Sequence, residues 1–225
     1  MMGDDAAPLE IAWLEIADPP ELWQDLGFAV DGDGRCVIGS VEHRLVGPPT
    51  QGEPGGIVRW AVFGPAPELV GPDGIDGLPT LLLADPYRPD EAPEHPNGVF
   101  RIDHLVISTS DTPRTAAELT AVGLGRRGGR TTNSAGDHVD MTFFWAGDVL
   151  LELSGPSTPA PDPEPARFRG VAYASRDLDA TVALLAGRTT EPRDAVQPGR
   201  RIAALVDGAG STLPLAFMTP HVRNP

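Results

Sequence analysis

Apolar and polar positions alternate every second residue through many short stretches of this chain. Three times that rhythm gives way to a brief helical one. The three places are "LEIAWLEIADPPELWQDLGF" (9–28), "FRIDHLVISTSDTPRTAAELTAVGLG" (100–125) and "FRGVAYASRDLDATVALLAGR" (168–188). Each reads as a strand, a cap, a short helix and a glycine stop. Asp18, Thr112 and Asp177 are the expected caps, because each can accept a bond from a free N–H of the first turn. Pro19 and Pro113 suit the first helical position. Gly27, Gly123 and Gly187 suit the left-handed residue that ends a helix. In the third helix Leu178, Val182 and Leu185 fall on one face.

Strand-like segments follow each helix. They are 35–47, 55–64 and 78–85 in the first copy, then 124–133, 138–147 and 149–156 in the second. The third copy offers 200–208 and 213–220, with a weaker segment around 193–199. The common order is strand–helix–strand–strand–strand. Two stretches rich in Pro and acidic residues, 86–98 and 157–166, read as extended linkers. They divide the chain into a βαβββ-like module at 7–85, a βαβββ module at 99–156 and a degenerate one at 167–221. The fold class expected is α+β.

Composition narrows the function classes. The chain carries 17 basic residues, all arginine, against 32 acidic ones, a net charge of −15. Such a chain repels phosphate backbones and anionic lipid, so neither nucleic acid nor a membrane is an expected partner. Cys36 is the single cysteine, which excludes an intrachain disulfide. The acidic start "MMGDDAAPLE" lacks the apolar run of a signal peptide, and a cytoplasmic location is expected. No Walker loop or dinucleotide fingerprint follows any strand, so nucleotide cofactors are not expected.

"IDHLVIS" (102–108), "AVGLG" (121–125) and "VLLELSGP" (149–156) lie on this repeated pattern. Together they resemble the vicinal oxygen chelate superfamily, which includes glyoxalase I, extradiol dioxygenases and bleomycin-resistance proteins. The resemblance implies mostly antiparallel, curled sheets, with paired modules enclosing a cavity. It also implies a divalent metal held by His104 and Glu152 with matching residues of a second module. A small oxygenated molecule would be the substrate or ligand. Aligned on the motifs, Gly170 stands opposite His104 and Ala216 opposite Glu152, and the first module offers Trp13 and Leu82. Half of the metal quartet is therefore missing, and a third ligand would have to be His138 or Asp140.

Strand parity gives a reading from the residues themselves. In 138–145 the apolar set Val139, Met141, Phe143 and Trp145 is expected against the helix. His138, Asp140, Thr142 and Phe144 are expected on the other side, together with His104, Glu152 and Ser154. Thr142, Phe144, Ser154 and Arg130 are the expected ligand contacts, and Glu152, in an apolar run, is the candidate general base. Arg126, Arg127 and Arg130 form a cluster suited to an anion. Elsewhere, Glu42 and His43 read as a solvated strand face and His95 and His221 as surface residues. "DGDG" (31–34) reads as a turn, and Cys36 as core or strand surface. Two functions remain open: a glyoxalase-like lyase, isomerase or dioxygenase using a divalent metal, and a metal-free binding protein of the bleomycin-resistance type. The first module's open sheet suggests a homodimer.

Overall fold

The structure, a computed structural model, describes residues 9–64, 70–134 and 137–221; the side chains of 132–138 lie outside that description. The chain is α+β, with two mixed sheets that do not close and three short helices among the described residues. It divides into two compact units. The first comprises the chain up to Trp13, Arg59–Tyr87 and Val106–Phe168. The second comprises Leu14–Val58, Arg88–Leu105 and the chain from Arg169 on.

The elements follow the sequence rhythm closely. β1 (Glu10–Ile16) leads to α1 (Pro20–Asp25), then β2 (Arg35–Ile38), β3 (Val41–Leu45), β4 (Ile57–Phe63) and β5 (Thr80–Leu83). β6 (Val99–Ser108) leads to α2 (Thr112–Ala121), β7 (Gly125–Ser134), β8 (Asp137–Ala146) and β9 (Val149–Pro156). β10 (Arg167–Ser175) leads to α3 (Leu178–Leu185), the two-residue β11 (Arg193–Asp194), β12 (Arg201–Ala204) and β13 (Leu215–Met218). The segment 35–47, read as one strand, is a hairpin of two, because Gly39 takes a φ of 62° between them.

Two of the three expected caps differ. Asp177 does cap α3, accepting the Ala180 N–H at 3.0 Å. Asp111, not Thr112, caps α2, accepting the Arg114 N–H at 3.0 Å; Thr112 instead donates to the Pro156 carbonyl. Asp18 caps nothing. Its carboxylate accepts the Trp23 indole N–H at 3.1 Å, the Ser211 hydroxyl at 2.6 Å and the Thr212 N–H at 2.7 Å. A buried carboxylate with three donors holds more structure than a cap with one.

In the first unit, β4 and β5 pair in parallel, and the end of β6 is followed by β9, β8 and β7. Trp13, Ala12, Ala61 and Phe63 form a small core there, with Leu83 and Tyr87 against it. Arg114 reaches Asp76 at 2.8 Å and the Glu164 carbonyl at 2.7 Å, so residues expected as linker are docked on α2.

In the second unit, β11–β12–β13–β10 lead to the first residues of β6, and β2–β3 lead to the end of β1. Its centre is aromatic: Trp23, Phe28, His43, Tyr173 and Phe217 lie ring against ring. His43 is fully buried, not solvated, and burial drives its pKa down to about 3. Glu42 is buried too, at 3 % exposure. His95 is also a core residue: Nδ1 accepts the Ala29 N–H and Nε2 faces the Val37 carbonyl, both at 3.0 Å. Alternation alone misplaced Glu42 and His43, because consecutive residues of β3 are buried on both of its sides.

Candidate functional site

β8 decides which side chains can work together. Its register with β9 pairs Phe143 with Glu152, Met141 with Ser154 and Trp145 with Leu150. Cross-strand partners point to the same side of a sheet. On that side stand Met141, Phe143, Leu150, Glu152 and Ser154, all half-buried, and Trp145, 37 % exposed. Arg130 pairs with Met141 from β7, and its guanidinium lies 5.6 Å from the Phe143 ring centre. This is an open sheet face carrying aromatic and aliphatic surface, one carboxylate and one hydroxyl.

The other side belongs to the helix. Phe144 pairs with Leu151, Thr142 with Leu153 and Asp140 with Gly155, and Phe144, Thr142, Leu151 and Leu153 are buried. Gly155 fixes the assignment: a Cβ there would meet Thr112 Oγ1 at 2.6 Å, so its side of the strand is the α2 side. The expected face assignment of β8 is thus inverted. Asp140, Thr142 and Phe144 do not share a side with Glu152 and Ser154. Three consecutive aromatics, Phe143, Phe144 and Trp145, make both faces apolar, so hydrophobicity could not choose between them; the register could. Asp140 accepts a 2.6 Å bond from Thr131. His138 pairs with Asn133 along β7, and its side chain lies outside the described residues.

His104 belongs to the second unit, Glu152 to the first. His104 is half-buried, and its Nδ1 lies 3.0 Å from Asp103 Oδ2. Asp103, one residue along and on the buried side, is clamped by Arg200, which reaches both of its oxygens. Arg200 also donates to the Thr219 carbonyl at 2.9 Å and touches His221 at 3.2 Å. Burial alone would push Asp103 up; hydrogen bonds from His104 and Arg200, with the Arg200 charge, outweigh it and hold the carboxyl at about 2. Burial and the Arg200 charge lower His221 below the usual histidine range. His221 is therefore part of a network that no spacing motif points to.

No protein-family profile and no curated protein matches the chain. Solved structures do. A mutant of 4-hydroxymandelate synthase from Streptomyces coelicolor superposes with a TM-score of 0.63 at 13 % identity, over 96 % of this chain and 94 % of that one. A xylose isomerase-like TIM barrel/4-hydroxyphenylpyruvate dioxygenase fusion protein gives 0.58 at 12 % identity, over 98 % of this chain and 50 % of that one. The chain has the vicinal oxygen chelate fold.

On this vicinal oxygen chelate fold the described residues do not fit a divalent metal. Among the described residues no three His, Cys, Asp or Glu side chains come together as a cage. Glu152 has Phe143 beside it, Asp140 points to the helix side, and His104 is hydrogen-bonded to Asp103. Position 170 cannot easily supply a ligand either: a Cβ on Gly170 would stand 2.7 Å from the Pro214 carbonyl oxygen. No helix among the described residues is long and apolar enough to cross a membrane.

Proposed function

We propose that this protein binds a small, largely apolar molecule on the open face of the β9–β8–β7 sheet, without a resident metal. The observation that carries the reading is the side shared by Met141, Phe143, Trp145, Leu150 and Glu152. Aromatic and thioether surface left half-exposed beside one carboxylate is what a ligand site needs: apolar contact for affinity, and a polar group for orientation. Glu152 and Ser154 are the polar contacts, and Arg130, stacked on Phe143, limits the site. Thr142 and Phe144, on the helix side, support this face from behind. The bleomycin-resistance type of function, sequestration of a ligand, follows from the poor metal donor set.

A second reading has its own support. Glu152 has no hydrogen-bond or ion-pair partner among the described residues, and it stands in an apolar row. A carboxylate so placed can take a proton from a carbon next to a bound carbonyl and return it, which is isomerase or epimerase chemistry needing only this chain's own base. Exchange of solvent deuterium into a bound ketone, lost in Glu152→Gln, separates catalysis from sequestration.

The division into modules at 7–85, 99–156 and 167–221, and a homodimer formed at a sheet edge, belong to the same reading. Light scattering reads the second. The experiment for the binding claim is a thermal-shift screen of small aromatic and aliphatic oxygen compounds on wild type, Trp145→Ala and Glu152→Gln. Ligands that raise the melting temperature of wild type alone support it. Equal shifts in all three proteins move the site elsewhere.

A further inference from the structure

The α2 side of the same sheet holds a groove, with Arg130 and Met141 of the open face on its rim. Its volume is about 480 Å³, between the first turns of α2 and strands β7 and β8. A second hollow of about 550 Å³ shares Pro113, Ala116 and Arg126 with it and runs along α2 past Ala117 and Ala121. We infer that this groove is a second ligand site, for a small amphipathic carboxylate whose head meets Arg126 and Thr142 and whose tail lies along α2.

Three observations carry it. Arg126 lines both hollows and has no ion-pair partner among the described residues, although the chain has a net charge of −15. An unpaired guanidinium on the exposed rim of the groove, among 32 acidic residues, is placed for an anion. Thr142 is 3 % exposed, and its hydroxyl has no hydrogen-bond partner among the described residues; it lines the groove. The hydroxyl opens onto the groove, where it is free to donate to an oxygen of the head. The α2 wall is Pro113, Ala116, Ala117, Thr120 and Ala121, uncharged and small, which leaves room for a hydrocarbon stem. Asp140 also lines the groove, where its Oδ1 accepts from Thr131 at 2.6 Å, and two guanidinium groups, Arg126 and Arg130, line the groove with it. Arg130 does not compete for the head, because its Nε lies 3.3 Å from the Met141 sulfur.

The test uses octanoate as probe, by calorimetry on the full chain, with octylamine as the charge control. Octanoate is expected to bind saturably and octylamine not to bind. Arg126→Gln, an exposed position where folding is not at stake, should weaken octanoate about tenfold, the loss expected of one charge-assisted hydrogen bond. Thr142→Val should weaken it several-fold with the melting temperature held or raised. Trp145→Ala and Glu152→Gln, on the other side of the sheet, should leave octanoate unchanged, which separates this site from the one proposed above. No saturable binding, equal binding of octylamine, or affinity within twofold of wild type in Arg126→Gln overturns the proposal.

Discussion

Phe143 and Glu152 stand opposite one another across β8 and β9, on one side of the sheet, while Asp140, three residues before Phe143, stands on the other. That relationship sorts the acidic residues of the strand pair into two different jobs. Glu152→Gln should change ligand binding at the open face, whereas Asp140→Asn should not. Binding curves for any ligand found by thermal shift decide it. Equal losses in the two variants would mean that the two carboxylates act at one site.

The Asp103–Arg200 pair should govern much of the acid stability. Asp103 is held at about 2 in the fold against 3.8 for the free side chain. A depressed carboxyl adds stability that is complete above the unfolded value and is lost as pH falls through the folded one. The difference amounts to about 2 kcal/mol, lost between roughly pH 5 and pH 2. Urea melts of wild type and Asp103→Asn over that window should show a steeper slope in wild type than in the variant. Arg200→Ala leaves a buried carboxylate with only His104 beside it and should cost about 3–5 kcal/mol at neutral pH.

His43 should add a second acid limb at higher pH. Its folded pKa of about 3 lies below the ordinary 6.5, so the unfolded chain takes up a proton that the fold refuses. Stability from this source is whole above about pH 6.5 and declines steadily toward pH 3. Its Nε2 also lacks a partner, as does the hydroxyl of neighbouring Tyr173. His43→Phe should therefore flatten the melting-temperature profile between pH 6.5 and 4. An unchanged profile would place His43 in contact with solvent.

Gly170 is excluded as a ligand position by backbone, not by chance of sequence. With a Cβ 2.7 Å from the Pro214 carbonyl, Gly170→Ala should already destabilise, by roughly 1–3 kcal/mol, and Gly170→His should not create a metal site. Denaturant melts and metal titration of the two variants check this.

Much of the fold was readable because its signals are local. The three helices, their glycine stops at 27, 123 and 187, and the strands of the second copy come from period and punctuation, and they lie where expected. The fold type followed from the same order and from "IDHLVIS" and "VLLELSGP". What escaped depends on layers and register. His43 alternates with apolar neighbours as a surface residue does, and His95 sits in a stretch rich in Pro and acidic residues, yet both are buried. The side taken by β8 turns on a one-residue choice that a run of three aromatics leaves open. The clamp of Arg200 on Asp103 joins residues 97 apart in sequence and has no spacing motif.

The central claim is a ligand face without a resident metal, and one measurement tests it most directly. Untagged protein is loaded with Mn²⁺, Fe²⁺, Co²⁺, Ni²⁺ and Zn²⁺ in turn, desalted, and its metal content is read by mass spectrometry beside His104→Ala and Glu152→Ala. The account predicts well under one equivalent of any metal in all three proteins. One tightly held equivalent in wild type, lost in both variants, would contradict it.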